Sequence, residues 1–156
     1  MKKTNAARLL DARGIDYQLT HYEVDEGDLS ASTLALKINQ NIEQIFKTLV
    51  LRGDKTGVFI MVVPGDAEVD LKKAAKISGN KNAAMVHQKE LLPLTGYIRG
   101  GCSPLGMKKP YPIYVHESCL LFDSIYISAG QRGLQIRLNP QDLIAVTGAV
   151  IGDVTD

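Results

Sequence analysis

Apolar positions recur along this chain at two periods, and the switch between them marks out the elements. Near the start, Ala6, Leu9 and Leu10 share one face of a helix that Thr4 caps and Gly14 stops. Residues 15–22 then alternate roughly between apolar and polar, which predicts a strand. Ser30 or Ser32 caps a second helix carrying Leu34, Leu36 and Ile38. Residues 46–51 and 58–63 are apolar, β-branched-rich runs. The turn-rich segment 52–57 lies between them, so the pair predicts a hairpin.

The pattern returns to helical spacing at Asp70, an N-cap for a helix ending at Gly79. Its buried side carries Leu71, Ala74, Ala75 and Ser78, and Lys72, Lys73 and Lys76 fall away from that side. A short strand over 83–86 follows, then a turn of helix over 87–92 broken by Pro93. Residues 96–112 are dense in Gly and Pro and predict a structured loop. Three strands follow over 113–115, 124–128 and 134–138. Asn139-Pro140 starts a helix, with an N-cap and then proline at the first position, and 149–151 closes the series as a strand. Strands come in runs rather than in strict alternation with helices. That favours an α/β fold with a mixed, largely antiparallel, barrel-like sheet and flanking helices.

Composition narrows the picture. A chain of 156 residues, 45% hydrophobic and without a linker or repeat, suits one domain over 1–156. A net charge of +1 means that any nucleic-acid contact runs through a local basic patch or a partner. Three Phe, six Tyr and no Trp leave few stacking platforms for an extended single strand. The basic start, Met1-Lys2-Lys3, imitates a secretory signal, but Arg8, Asp11 and Arg13 interrupt the apolar segment such a signal needs. The longest apolar run, 58–63, is far too short to span a bilayer. Two cysteines without an export signal point to a reducing, cytoplasmic setting.

Candidate chemistry is sparse. Walker A, GxGxxG, HExxH and CxxC patterns are absent. His116 and Cys119 stand three apart, but two ligands do not make a metal site. Cys102 lies in the Gly-rich loop with no identifiable base, so an ordinary loop residue accounts for it as well as a nucleophile. Lys47 sits inside an apolar run, where an ammonium is costly to bury, and shares a strand face with Leu49 and Leu51. A strand-edge lysine explains it equally. The paired glycines Gly100-Gly101, stiffened by Pro104, permit close backbone approach to a ligand, and clustered amides there suit an oxyanion or a phosphate. Ser128 ends a strand that runs into a turn at Gly130.

Taken together, these segments resemble the YbaK/EbsC family of free-standing aminoacyl-tRNA deacylases. The matching text is Phe46-Lys47-Thr48-Leu49-Val50, residues 70–76, Thr95-Gly96-Tyr97 with Gly100-Gly101 and Ser103-Pro104-Leu105-Gly106, and Ile125-Tyr126 with Ser128, Gly130 and Arg132-Gly133-Leu134. The resemblance covers nearly the whole chain. It implies a fold related to the editing domain inserted in some prolyl-tRNA synthetases, and a deacylase acting in trans without metal or other cofactor. The implied substrate is tRNA(Pro) mischarged with cysteine, and the implied partners are the tRNA acceptor end and a prolyl-tRNA synthetase. Carried over residue by residue, Lys47, Gly100 and Ser128 are the catalytic positions, with Ser128 positioning the substrate and Lys47 either meeting the oxyanion or holding a phosphate or ribose hydroxyl of the tRNA end. Tyr22, Leu29, Gly101, Ser103, Pro104 and Gly130 shape the substrate site, and Leu29 stands where family members often carry an aromatic. Lys72, Lys73 and Lys76 are candidates for tRNA phosphates, and a solvated helix face explains each of them too. The second function consistent with the pattern is a non-catalytic module that binds a tRNA end or a synthetase.

Overall fold

Two β-sheets carry the chain in the computed structural model, which describes residues 3–156, so that Met1 and Lys2 of the basic start lie outside it. The elements in chain order are α1 (Asn5–Ala12), β1 (Gln18–His21), α2 (Ala31–Ile38), β2 (Phe46–Gly53), β3 (Gly57–Pro64) and α3 (Leu71–Ile77). There follow β4 (Ala83–Met85), α4 (Leu91–Thr95), β5 (Ile113–His116), β6 (Ile125–Ser128), β7 (Leu134–Leu138), α5 (Pro140–Thr147) and β8 (Val150–Gly152). The smaller sheet runs β1-β7-β6 and the larger β4-β2-β3-β5-β8. Pairing is antiparallel except for β3 with β5 and β5 with β8.

The predicted barrel does not close. One parallel bridge, Ile45 to Tyr126, joins the two sheets at the start of β2. The main core fills the space between them, with Phe46, Val50, Ile60 and Val62 from one sheet against Ile125, Ile127, Leu134 and Ile136 from the other. On the opposite face of the larger sheet, Leu51, Phe59, Met61 and Val63 pack under Ala74 of α3. On the outer face of the smaller sheet, α2 covers Tyr126 through Ala35, with Leu34 and Ile38 beside it.

The face of α3 differs from expectation at Leu71, and α2 buries little of the apolar surface it carries. Leu71 and Leu36 are exposed, because each helix buries only a narrow stripe, at Ala74-Ala75 in α3 and around Ala35 in α2. Pro93 also does not end its helix. It is the third residue of α4, within the first turn, where a missing N–H leaves no helical bond unmade. Among the described residues, no helix is long and apolar enough to cross a membrane.

Candidate active site

A cavity of about 540 Å³ opens where the start of β2 runs beside β6, a size suited to a small-molecule moiety. From the Ile45–Tyr126 bridge, two residues along each strand lead to Lys47 and Ser128. Alternation puts these on the same side as the bridged pair, away from the main core. Ser128 is paired in turn with Gln135 of β7, and Gln135 with Thr20 of β1. Lys47, Ser128 and Gln135 therefore form a polar row across three strands, and all three line the cavity. Tyr22, Leu29 and the first turn of α2 form one wall, and Arg99, Gly100 and Cys102 form another.

Lys47 is half-buried and makes no ion pair among the described residues. Its charge is thus available to an anionic or electron-rich group of a ligand. Gly100 has φ +83°, where a side chain is strained, and a Cβ there would lie 3.3 Å from Leu29 Cδ1 and 3.2 Å from Arg132 Nε. Leu29 thus leans directly on the glycine loop. The Gly100 N–H has no acceptor among the described residues, whereas the Gly101 N–H donates to Ile98 O at 2.9 Å. Of the two amides, only that of Gly100 is free for an oxyanion. Arg132 holds this loop in place, its Nε donating to Arg99 O at 2.8 Å and its guanidinium pairing with Glu26.

The remaining expected residues lie behind the wall rather than on it. Gly101 is buried, and a Cβ there would lie 3.0 Å from Gln131 Cα, so it lets two backbone segments meet. Ser103 and Pro104 are buried in the loop, where Ser103 Oγ accepts from Leu105 N at 3.2 Å. Gly130, at φ +102°, leaves room for the Tyr97 ring, whose hydroxyl donates to Leu105 O. The Gly130 N–H donates to Ser128 Oγ at 3.2 Å, which leaves the serine hydrogen to donate elsewhere. None of Lys72, Lys73 and Lys76 lines the cavity. Lys73 is engaged by Asp153 and by Thr155 O, while Lys72 and Lys76 are exposed.

The sequence does not single out Gln135, because a glutamine between Leu134 and Ile136 looks like an ordinary solvent-facing strand position. Nor does any sequence pattern mark Asp28. It lines the cavity, and hydrogen bonds from the Thr33 and Ser30 side chains and the Ser30 N–H hold its carboxyl down at about 2. Burial pushes the Cys102 thiol up to about 12, which keeps it protonated at any working pH. Cys102→Ala is therefore expected to keep its deacylation rate within about threefold, and native Cys102 to resist iodoacetamide at pH 8. Rapid alkylation with matching loss of rate would make it a nucleophile. The other thiol, Cys119, is pushed up to about 11 by burial, and nearby His116 Nδ1 accepts from Val154 N at 3.3 Å. Among the described residues no group of three or more His, Cys, Asp or Glu could hold a metal ion.

Similarity to known proteins runs along the whole chain. The family model for the aminoacyl-tRNA editing domain matches residues 26–146. EbsC of Enterococcus faecalis, provisionally named a Cys-tRNA(Pro)/Cys-tRNA(Cys) deacylase, is 44% identical over 154 residues, covering 99% of this chain and 94% of its own. A solved structure described provisionally as a trans-editing enzyme for prolyl tRNA synthetase superposes with a TM-score of 0.85 at 28% identity, covering 99% of each chain. Proline–tRNA ligase of Burkholderia multivorans is 23% identical over 109 residues, 67% of this chain but 19% of that one. The family match, reaching from the wall at Leu29 past the polar row to α5, shows that the chain belongs to the aminoacyl-tRNA editing domain family.

Proposed function

We propose that this protein is a trans-acting deacylase of mischarged aminoacyl-tRNA, with cysteinyl-tRNA(Pro) as its substrate and a prolyl-tRNA synthetase as the source of its tRNA. The observation that carries the reading is a cavity lined by Lys47, Gly100 and Ser128, in which the lysine has no ion-pair partner and the glycine N–H no acceptor among the described residues. The name of the E. faecalis relative supports the substrate.

An aminoacyl ester is already activated, so hydrolysis needs charge stabilisation more than a strong base. As the carbonyl is attacked, negative charge builds on its oxygen. The Gly100 N–H and the Lys47 ammonium are the donors for that charge, and Ser128 positions the ester. A cysteinyl ester carries its own nucleophile. Its sulfur bonds to the carbonyl carbon, the ester C–O bond breaks, and the thiol proton passes to the departing ribose oxygen. The cyclic thioester left behind opens with water. Lys72 and Lys76, both exposed, are the candidates for tRNA phosphates.

The test is a deacylation time course on tRNA(Pro) carrying cysteine, alanine, serine or proline. Cysteine is expected to leave fastest and proline not at all, and removal of proline as readily as cysteine would defeat the reading. Leu29 sets the prediction for selectivity, because it lies against Gly100. Leu29→Phe replaces a small flexible wall with a rigid one, so the preference for cysteine over larger groups should rise about tenfold. An unchanged ratio would remove Leu29 from the aminoacyl pocket.

A further inference from the structure

Gln135 is 4% exposed, and its buried Oε1 has no hydrogen-bond partner among the described residues. A buried acceptor left unpaired is costly, and native structures keep only a few; among the described residues these are Gln135 Oε1, Thr48 Oγ1 and Ser118 Oγ. Gln135 also lines the cavity, one strand beyond Ser128 and two beyond Lys47. The row is therefore graded, with a cation at one end, a hydroxyl in the middle and an orphan acceptor at the other. Asp25 and Asp28 line the same cavity, which adds negative charge to its walls.

An aminoacyl ester has a complementary polarity. Its carbonyl oxygen gathers negative charge during attack, and its α-nitrogen is an ammonium bearing three donors. We propose that Gln135 is a specificity residue of this pocket, whose Oε1 accepts a hydrogen bond from the free α-ammonium of the aminoacyl group. The pocket then takes esters with a free amino terminus and discriminates against N-acylated ones, whose nitrogen is neutral and bulkier. This rests on the deacylase reading above.

The experiment uses the full chain, with cysteinyl-tRNA(Pro) and N-acetylcysteinyl-tRNA(Pro). Each kcat/KM is divided by the uncatalysed rate of the same ester, because a protonated amine activates an ester by itself. The wild type is expected to prefer the free-amino ester by roughly tenfold to a hundredfold, the worth of one hydrogen bond to a charged group. Gln135→Met should erase that preference by slowing only the free-amino ester. Its melting temperature should not fall, since an orphan polar group is replaced by an apolar one of similar size. Gln135→Glu, which keeps an acceptor in either rotamer, should retain the preference.

Equal slowing of both esters in Gln135→Met, no slowing of either, or loss of preference in Gln135→Glu would overturn the proposal. If the wild type cleaves neither ester, the deacylase reading is what fails. Binding then decides Gln135, using amide-linked 3′-cysteinylamino-adenosine and its N-acetyl form. A wild-type Kd ratio of about tenfold that vanishes in Gln135→Met upholds the assignment, and equal ratios reject it.

Discussion

Lys47→Ala is expected to lose roughly a hundredfold to a thousandfold in deacylation rate while keeping its fold, because in the proposed mechanism it removes a donor for charge that appears only during attack. The structure separates the two outcomes. Lys47 is half-buried on β2 and makes no ion pair among the described residues, so truncation strands no carboxylate there. The pairing of β2 with β3, Phe46 against Pro64 through to Gly53 against Gly57, is made by backbone and survives the change. Stability should move by less than about 1 kcal/mol. Urea melts and single-turnover deacylation measured on the same preparation check both halves. A folded variant with wild-type turnover would remove Lys47 from the chemistry. A Lys47→Arg variant sharpens the result, since it keeps the charge but not the compact head, and is expected to recover only part of the rate.

Much of the fold was legible because its signals are local. Thr4, Ser30, Asp70 and Asn139 are N-caps whose side chains accept the expected backbone N–H bonds, so the helix starts were set by residues that compete with the backbone anywhere else. The β2–β3 hairpin followed from two apolar runs around a turn, and its short connection is held by Asn80, whose Oδ1 accepts from Lys55 N and Thr56 N. Apart from Pro93, whose place in the first turn of α4 is a local matter, the failures turn on what does or does not cover a face from a distance in sequence. The sequence placed Leu34, Leu36 and Ile38 on α2, but did not show that Leu36 would point at solvent while Ala35 met Tyr126. It showed Gln135 alternating with core residues, but not that its outward side would be buried. The open seam between the sheets depends on one bridge, Ile45 to Tyr126, which no local pattern encodes. The same limit applies to the site. Lys47, Gly100 and Ser128 were each ambiguous alone, and only the resemblance suggested that they meet. Gly101, Ser103, Pro104 and Gly130 have unusual backbone or packing for a reason one layer deeper, namely to seat the loop that presents Gly100.

Arg132→Ala is expected to cut deacylation by about a hundredfold through that loop, whereas Glu26→Gln should stay within about twofold of wild type. Both residues belong to one contact, so magnitudes must separate them. The Glu26 side chain is 72% exposed and that of Arg132 only 24%. An ion pair with so exposed a partner is worth little once solvent and salt screen it. The bond from Arg132 Nε to Arg99 O is different, because a charged donor grips the backbone next to Gly100. Its aliphatic stem also packs there, since Arg132 Cγ lies 3.4 Å from where a Cβ on Gly100 would be. Losing Arg132 therefore frees a glycine whose φ of +83° is only one of several it can adopt, and the Gly100 N–H no longer points at one place. The loss should appear in kcat rather than KM, because the misplaced donor matters to the transition state more than to the bound ester. Arg132→Lys keeps a charge for Glu26 but lacks the planar Nε donor, so it should behave like Arg132→Ala. If Glu26→Gln proves as damaging as Arg132→Ala, the ion pair is what holds the loop. If Arg132→Ala changes only KM, the residue contacts tRNA instead of positioning Gly100.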